Sequence, residues 1–161
     1  INTYPHNEKS YTQGIFFEND YLYESTGHRG SSTIGKYDLI TGEIIKVANI
    51  ENNYFGEGAT SWKEKIFQIT WESQIAFAYD TNLNRIRTFN YSGEGWGLAT
   101  WGDTLVMSDG SENIYFLNPK DFSQIDRLQV YNQTDKINFL NECFPRNHCF
   151  LGWVRIKNCP G

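Results

Sequence analysis

The sequence predicts an all-β fold, and specifically a β-propeller built from four-stranded antiparallel blades. Aromatic residues make up 16% of the 161 residues, and 14 glycines accompany a single methionine; this composition favours strands joined by tight turns over helices. A unit of four short strands also recurs along the chain, with a glycine after its opening residue at positions 14, 58 and 97. Four-stranded units of about 40 residues are typical of propeller blades. A β-sandwich and a solenoid are the alternatives.

Each unit opens with a hairpin, because a short strand, a tight turn and an alternating strand follow one another. The three opening hairpins join Gln13–Phe17 to Tyr21–Ser25, Glu57–Trp62 to Lys65–Trp71, and Trp96–Trp101 to Thr104–Asp109. Their turns are predicted at residues 18–20, 63–64 and 102–103. A second hairpin then completes each unit: Ser32–Asp38 with Glu43–Ile50, Gln74–Asp80 with Arg85–Tyr91, and Asn113–Pro119 with Ser123–Tyr131.

A fourth unit begins at Asn138–Glu142, but residues 143–149 show neither alternation nor a hairpin turn. We therefore expect residues 1–142 to form three full blades and the start of a partial, divergent fourth. Residues 143–161 are predicted to be a cysteine-containing tail rather than a separate domain. The abrupt change after Glu142 indicates a frameshift, an alternative exon or a truncation.

Composition excludes several classes of partner. The net charge of −5 and the pI near 5.2 argue against nucleic acid, and no apolar run reaches the roughly 18 residues of a membrane span. All three cysteines (Cys143, Cys149 and Cys159) lie in the tail, at spacings that match no common zinc site, so we expect no metal. Two glycosylation sequons, at residues 90–92 and 132–134, fit secretion. The chain opens with Ile1, which indicates a missing upstream segment such as a signal peptide.

The predicted topology gathers polar and aromatic side chains at one rim of the propeller. First strands line the central channel, which places Gln13, Glu57, Trp96 and Asn141 around one mouth, with Glu24, Trp71 and Asp109 near the same level. One isolated acid, two carboxamides and two indoles suit a small polar ligand. Glu57 lies between two glycines, and a carboxyl group in an indole-walled channel should have a raised pKa that suits proton transfer.

Each of these residues also has a purely structural interpretation. The tryptophans could belong to the core, Gln13 and Asn141 could cap backbone groups between blades, and Asp109 has the context of a turn residue.

A set of motifs that fall in order along residues 4–142 resembles the glutaminyl-peptide cyclotransferases of the plant and bacterial type. These motifs are Tyr4-Pro5-His6, Tyr11-Thr12-Gln13-Gly14, Leu22-Tyr23-Glu24-Ser25-Thr26-Gly27, Phe55-Gly56-Glu57-Gly58, Gln68-Ile69-Thr70-Trp71, Gly93-Glu94-Gly95-Trp96-Gly97-Leu98, Met107-Ser108-Asp109-Gly110-Ser111 and Leu140-Asn141-Glu142. The resemblance implies a five-bladed propeller that works outside the cytoplasm without metal or cofactor, as a monomer when complete. The reaction it implies converts an N-terminal glutaminyl residue of a peptide or protein to pyroglutamate and releases ammonia.

The resemblance also implies roles for individual residues. Glu57 would be the acid and base, Trp71 and Trp96 would wall the pocket, and Gln13 and Asn141 would hold polar groups of the substrate. Tyr11 stands where the family usually has phenylalanine. The family's later pocket tryptophan and lysine have no match in residues 143–161, and we do not assign the pocket role to Trp153.

Two other functions are kept as hypotheses. A truncated, non-catalytic propeller would bind a peptide end or a partner protein at the same rim without turnover. A glycoside hydrolase would pair Glu57 with Asp109 or Glu24, but only one acid is clearly placed in the channel.

Overall fold

The computed structural model describes residues 3–146, 148–151 and 154–155, with side chains for residues 3–142, and these residues form fifteen strands and no helix. Blade 1 contains β1 (Thr12–Glu18), β2 (Tyr21–Thr26), β3 (Thr33–Asp38) and β4 (Ile44–Asn49); blade 2 contains β5 (Gly56–Trp62), β6 (Lys65–Thr70), β7 (Ile75–Tyr79) and β8 (Arg85–Asn90); blade 3 contains β9 (Leu98–Trp101), β10 (Thr104–Ser108), β11 (Asn113–Leu117) and β12 (Gln124–Gln129). Within each blade the strands pair antiparallel in chain order. Across the described residues, no helix is long and apolar enough to cross a membrane.

The first strands of successive blades lie side by side, since β1 contacts β5 and β5 contacts β9. The outer strands lie progressively farther from this row, as the spokes of a propeller do. The predicted propeller is therefore confirmed over its first three blades, and the sandwich and solenoid alternatives do not describe the chain.

The turns of the opening hairpins also lie where the sequence placed them. β1 and β2 are joined by Asn19 and Asp20, whose φ values of 47° and 66° are those of a two-residue type I′ turn. The corresponding turns of blades 2 and 3 fall at residues 63–64 and 102–103.

The backbone after Glu142 differs from the expectation. Residues 143–149 were predicted to lack a hairpin, but β13 (Cys143–Arg146) pairs antiparallel with β14 (His148–Leu151), and β15 (Val154–Arg155) extends the sheet to three strands. β13 contacts β9, so it continues the row of first strands. Residues 143–146 show no alternation of apolar and polar residues, so the pairing of this strand could not be predicted from the local sequence.

The glycine that recurs near the start of each unit is explained by this row of first strands. A Cβ on Gly14 would lie 2.6 Å from the backbone nitrogen of Ala59, one on Gly58 would overlap the backbone nitrogen of Leu98, and one on Gly97 would overlap the carbonyl oxygen of Asn141. Only glycine allows neighbouring backbones to approach this closely.

Apolar side chains fill the space between the blades. Tyr23 and Ile34 of blade 1 pack with Phe77 and Tyr79 of blade 2. On its opposite face, blade 2 packs against blade 3 through a larger cluster that includes Trp62, Phe67, Phe89, Leu105, Met107 and Phe122. Both faces of blade 2 are therefore buried, which fixes the position of β5 and of the residues at its start.

Candidate active site

Glu57 lies at a β-bulge near the start of β5. Gly56 pairs with Thr70 and Ala59 pairs with Gln68, so Glu57 and Gly58 together oppose one residue of β6. A bulge of this kind re-aims a side chain relative to a regular strand. The hydroxyl of Ser25 donates a hydrogen bond to the Glu57 carbonyl oxygen from the neighbouring blade, which anchors the bulge.

The environment of the Glu57 carboxyl group favours its protonated form. The residue is only 7% exposed, and burial raises its pKa to about 8, with further increases from the negative charges of Glu142 and Glu94. A hydrogen bond from the Gln13 carboxamide acts in the opposite direction and lowers this pKa. Near neutral pH the group can therefore both give and accept a proton.

Gln13 occupies the corresponding bulge of blade 1. Thr12 pairs with Thr26 and Gly14 with Ser25, which leaves Gln13 as the extra residue of β1. Its carboxamide reaches Glu57 of the next blade. The structure thus brings together two residues that the sequence placed on the same rim from their repeat positions.

Trp71 and Trp96 are joined through a carboxylate that the sequence analysis did not assign. The indole Nε1–H groups of both residues donate to Oε2 of Glu94, at 2.7 Å from Trp71 and 2.9 Å from Trp96. The Trp96 ring also lies against Gly110, where an added Cβ would be 2.6 Å from Cζ2 of the indole. Glu94 therefore fixes the two indoles relative to each other.

Asn141 and Glu142 approach the same rim from the start of the fourth unit. The Asn141 carbonyl oxygen accepts a hydrogen bond from the Ser108 hydroxyl at 2.5 Å, and the residue itself is exposed. Burial raises the pKa of Glu142 to about 7, and its charge in turn raises the pKa of Glu57. The charge of Glu142 therefore favours the protonated form of Glu57.

Aromatic rings border the site on the side of blade 1. Tyr11 is 52% exposed, and its ring lies 4.6 Å from that of His28 and 6.2 Å from that of Phe55, measured between ring centroids. Phe55 in turn packs edge-on against Trp71 at 5.8 Å. Tyr11 is thus connected to Trp71 through Phe55.

The carboxylates of Glu24 and Asp109 form hydrogen bonds with residues other than Glu57. Ser25 faces blade 2, so the adjacent Glu24 on the same strand faces the opposite side of blade 1. It is 1% exposed and accepts hydrogen bonds from His6, Ser10 and Thr12. Asp109 accepts hydrogen bonds from Ser111 and Tyr115 within its own blade, as its turn context predicted. The orientation of Glu24 removes it as the second carboxyl group of a glycoside hydrolase.

Sequence reasoning missed Glu94, Glu142, Phe55 and His28 as neighbours of the site. A signal existed for Glu94, because it lies between Gly93 and Gly95 in the same way that Glu57 lies between two glycines. Among the side chains that the structure describes, no group of three or more His, Cys, Asp or Glu residues could hold a metal ion. Trp153 and Cys159 lie outside the described residues.

Comparison with known proteins identifies the relatives of this chain. The family model for glutamine cyclotransferase matches residues 1–146. A glutaminyl-peptide cyclotransferase of Arabidopsis thaliana is 38% identical over an alignment of 177 residues, which includes 96% of this chain. The crystal structure of Myxococcus xanthus glutaminyl cyclase superposes with a TM-score of 0.84 at 32% identity over 94% of the chain. The WD40 domain of Neurospora crassa Pan2 shares the fold alone, with a TM-score of 0.67 and 11% identity over 85% of this chain and 40% of that one.

The chain spans only part of these relatives. It covers 55% of the length of the Arabidopsis protein and 66% of the Myxococcus structure.

Proposed function

The chain belongs to the glutamine cyclotransferase family, and we propose that the protein of which it forms at least a part is a glutaminyl-peptide cyclotransferase. Its substrates are peptides or proteins with an N-terminal glutamine, and its products are the pyroglutamyl peptide and ammonia. The observation that carries this proposal is the buried Glu57 carboxyl group, which has a raised pKa and a hydrogen bond from Gln13.

The cyclisation requires the enzyme to hold the substrate in its ring-forming conformation and to transfer protons. The α-amine of the substrate attacks the γ-carboxamide carbon of the same residue, so a C–N bond forms within one molecule and the C–N bond to the leaving nitrogen then breaks. Holding the ring-forming conformer supplies a large part of the rate enhancement. The attacking amine must lose a proton, and the leaving nitrogen must gain one to depart as ammonia.

Glu57 is suited to both proton transfers. Its ionised form accepts the proton from the attacking amine, and the resulting neutral acid donates a proton to the leaving nitrogen, so the enzyme returns to its starting state. A pKa of about 8 keeps both forms accessible near neutral pH. Because one carboxyl group serves both steps, we propose that turnover requires no metal or cofactor and is unaffected by chelators.

The remaining predicted residues hold the substrate. Trp71 and Trp96 wall the pocket from the side fixed by Glu94. Gln13 and Asn141 lie at the rim, where a carboxamide can donate to the substrate carbonyl oxygen as negative charge develops on it. Tyr11 borders the entrance.

The test is a turnover assay with matched peptides. A Gln-initiated peptide should lose about 17 Da, the mass of one ammonia expelled in the intramolecular closure, while the same peptide with an acetylated N-terminus should not change. Glu57→Gln should abolish turnover and leave the circular dichroism spectrum unchanged. Saturable binding without any mass loss in the wild-type protein would instead indicate a non-catalytic propeller.

We also propose that the protein works outside the cytoplasm. Its two sequon asparagines, Asn90 and Asn132, are both exposed, as acceptors of N-linked glycans must be. Expression through a eukaryotic secretory pathway should give a glycosidase-sensitive mass increase, and Asn90→Gln together with Asn132→Gln should remove it. A secreted wild-type protein without glycans would contradict the use of these sites.

A further inference from the structure

Three neighbouring aromatic side chains beside the pocket, two of them exposed and Phe55 half-buried, form a surface here called the aromatic shelf: Tyr11, His28 and Phe55. Their ring centroids lie 4.6 to 6.2 Å apart. Tyr11 and His28 are both exposed, and a contiguous exposed patch of this kind is a feature of binding surfaces. The roles proposed above for the reacting groups do not account for this surface.

The shelf is held in place by the backbone beneath it. The Gly27 amide donates to the Tyr11 carbonyl oxygen at 2.8 Å, and a Cβ on Gly27 would overlap the Phe55 ring. His28 has a φ of +102°, a conformation that non-glycine residues rarely adopt, and its carbonyl oxygen accepts a hydrogen bond from Ser32. A non-glycine residue held in such a conformation is more common at functional sites than elsewhere.

The shelf begins where the proposed pocket ends. Phe55 packs edge-on against the pocket residue Trp71, and the Gly27 backbone lies between Phe55 and the side chain of Gln13. Glu94 and Glu142 follow blades 2 and 3 in the chain, and Glu94 also accepts hydrogen bonds from the indoles of Trp71 and Trp96. An apolar group that leaves the pocket can therefore pack on aromatic rings on the blade 1 side, whereas toward blade 3 it would have to desolvate carboxyl groups.

We propose, building on the cyclotransferase function above, that the aromatic shelf binds the side chain of the second residue of the substrate. The favoured substrates then carry an aromatic or large aliphatic residue directly after the N-terminal glutamine. One residue of extended chain spans about 3.5 Å, so a second residue leaving the pocket between Trp71 and Gln13 meets the shelf at once. Burying one such side chain favours it over glycine by roughly tenfold.

The test compares two peptides that differ only at the second residue, one beginning Gln-Phe and the other Gln-Gly. The wild-type protein should give a kcat/KM ratio of about ten in favour of the Gln-Phe peptide, carried mainly by KM. Tyr11→Ala and His28→Ala should each reduce this ratio several-fold. The matched control is Tyr131→Ala, because Tyr131 is also 52% exposed but lies beyond the end of the outer strand of blade 3; this variant should keep the wild-type ratio.

A further variant tests whether the second residue of the substrate instead leaves the pocket over blade 3. Phe139 is 81% exposed and its amide bonds to Gly110, the residue against which Trp96 lies. If Phe139→Ala removes the preference while Tyr11→Ala and His28→Ala retain it, the second residue leaves over blade 3 and the shelf proposal is wrong. A wild-type protein that turns over both peptides equally well also contradicts it.

Measurements of peptide binding distinguish failure of the shelf proposal from failure of the proposed enzymatic function. Calorimetry with Glu57→Gln measures the affinity for both uncyclised peptides without turnover. If no peptide is cyclised by the wild-type protein, the enzymatic proposal fails, and the shelf still requires tighter binding of the Gln-Phe peptide that Tyr11→Ala weakens. Equal affinities would overturn the shelf. Near-UV circular dichroism confirms that each variant is folded, and His28→Ala replaces Tyr11→Ala if the latter is not.

Discussion

The buried position of Glu57 affects both the stability of the fold and the protonation of its carboxyl group. Its bulge and its flanking glycines direct a carboxyl group into a buried environment, where ionisation costs free energy. The same cost makes the group available for proton transfer near neutral pH. The residue that we propose for proton transfer is therefore one that the fold would be more stable without.

The first prediction follows from this cost. The pKa of Glu57 is about 8 in the folded protein and about 4.3 in an unfolded chain, so the folded state binds more protons between these values. Wild-type stability should then fall as pH rises through this window and level off above pH 8. Glu57→Gln lacks this titration, and its stability advantage should grow to the order of a few kcal/mol by pH 9.

Urea unfolding of both proteins at pH 5 and pH 9 measures this difference. Glu142 titrates in both proteins, so the comparison removes the part of its contribution that does not depend on Glu57. If Glu57→Gln were more stable than the wild type by the same amount at both pH values, ionising Glu57 in the folded protein would carry no free-energy cost.

Glu94 acts at the residue scale through its contacts with the two pocket indoles. Because one carboxylate oxygen accepts from both Trp71 and Trp96, its removal should release both rings. Its negative charge also raises the pKa of Glu57. Two substitutions can separate these effects, since glutamine keeps an oxygen acceptor but carries no charge.

The second prediction is that Glu94→Ala lowers kcat/KM by about tenfold or more because the pocket walls are no longer oriented, whereas Glu94→Gln retains most of the activity. Both variants should shift the Glu57-dependent limb of the pH–rate profile to lower pH. Tryptophan fluorescence should change in Glu94→Ala and remain close to wild type in Glu94→Gln. Glu43→Ala, at an exposed residue beside the β3–β4 turn, is the control. Equal activity of all four proteins would remove Glu94 from the site.

At the scale of elements, the close approach of the first strands determines which residues can face the channel. Gly14, Gly58 and Gly97 each allow the neighbouring chain to approach, and the residues before the first two, Gln13 and Glu57, lie in β-bulges. The repeat therefore produces the site as a consequence of how the blades pack.

The third prediction is that Gly58→Ala destabilises the protein by about 3 kcal/mol or more, because its Cβ would overlap backbone atoms of β9 that cannot move independently. Gly30→Ala is the comparison. Gly30 has a φ of +87° with no atom within 4 Å of an added Cβ, so only the left-handed conformation is strained, at about 1–2 kcal/mol. Thermal unfolding of both variants should show a clearly larger loss for Gly58→Ala, and the reverse order would contradict the packing explanation.

The hairpins of blades 1–3 could be predicted from the sequence, because their alternation and their turn residues are local properties. The rim positions of Gln13 and Glu57 followed from the repeat. The hairpin after Glu142 could not be predicted, since Cys143–Arg146 has no local pattern and its pairing depends on the neighbouring strands. The flanking glycines could have singled out Glu94, but the convergence of Trp71 and Trp96 on it could not be predicted, because it depends on the relative position of two blades.

At the scale of the whole molecule, the blades described here form an open arc. Among the described residues, blade 1 has a neighbouring blade on one face only. Phe16 stacks on Tyr23 in the core shared with blade 2, so by alternation Ile15 and Phe17 project from the opposite face. Residues 6–12 cover part of that face through their contacts with Glu24, but Phe17 remains 61% exposed.

The fourth prediction is that this face makes the 161-residue chain self-associate. Phe17 and Ile15 provide adjacent exposed apolar surface on a first strand, and such surface promotes association when it is left uncovered. Phe17→Lys should therefore raise the concentration at which light scattering detects oligomers. Ile125→Lys is the matched control, because Ile125 is equally exposed but lies on the outer strand β12. Since neither side chain belongs to the core between blades, both variants should keep the wild-type unfolding temperature. If the two variants affect association equally, general surface charge rather than the open face of blade 1 is responsible.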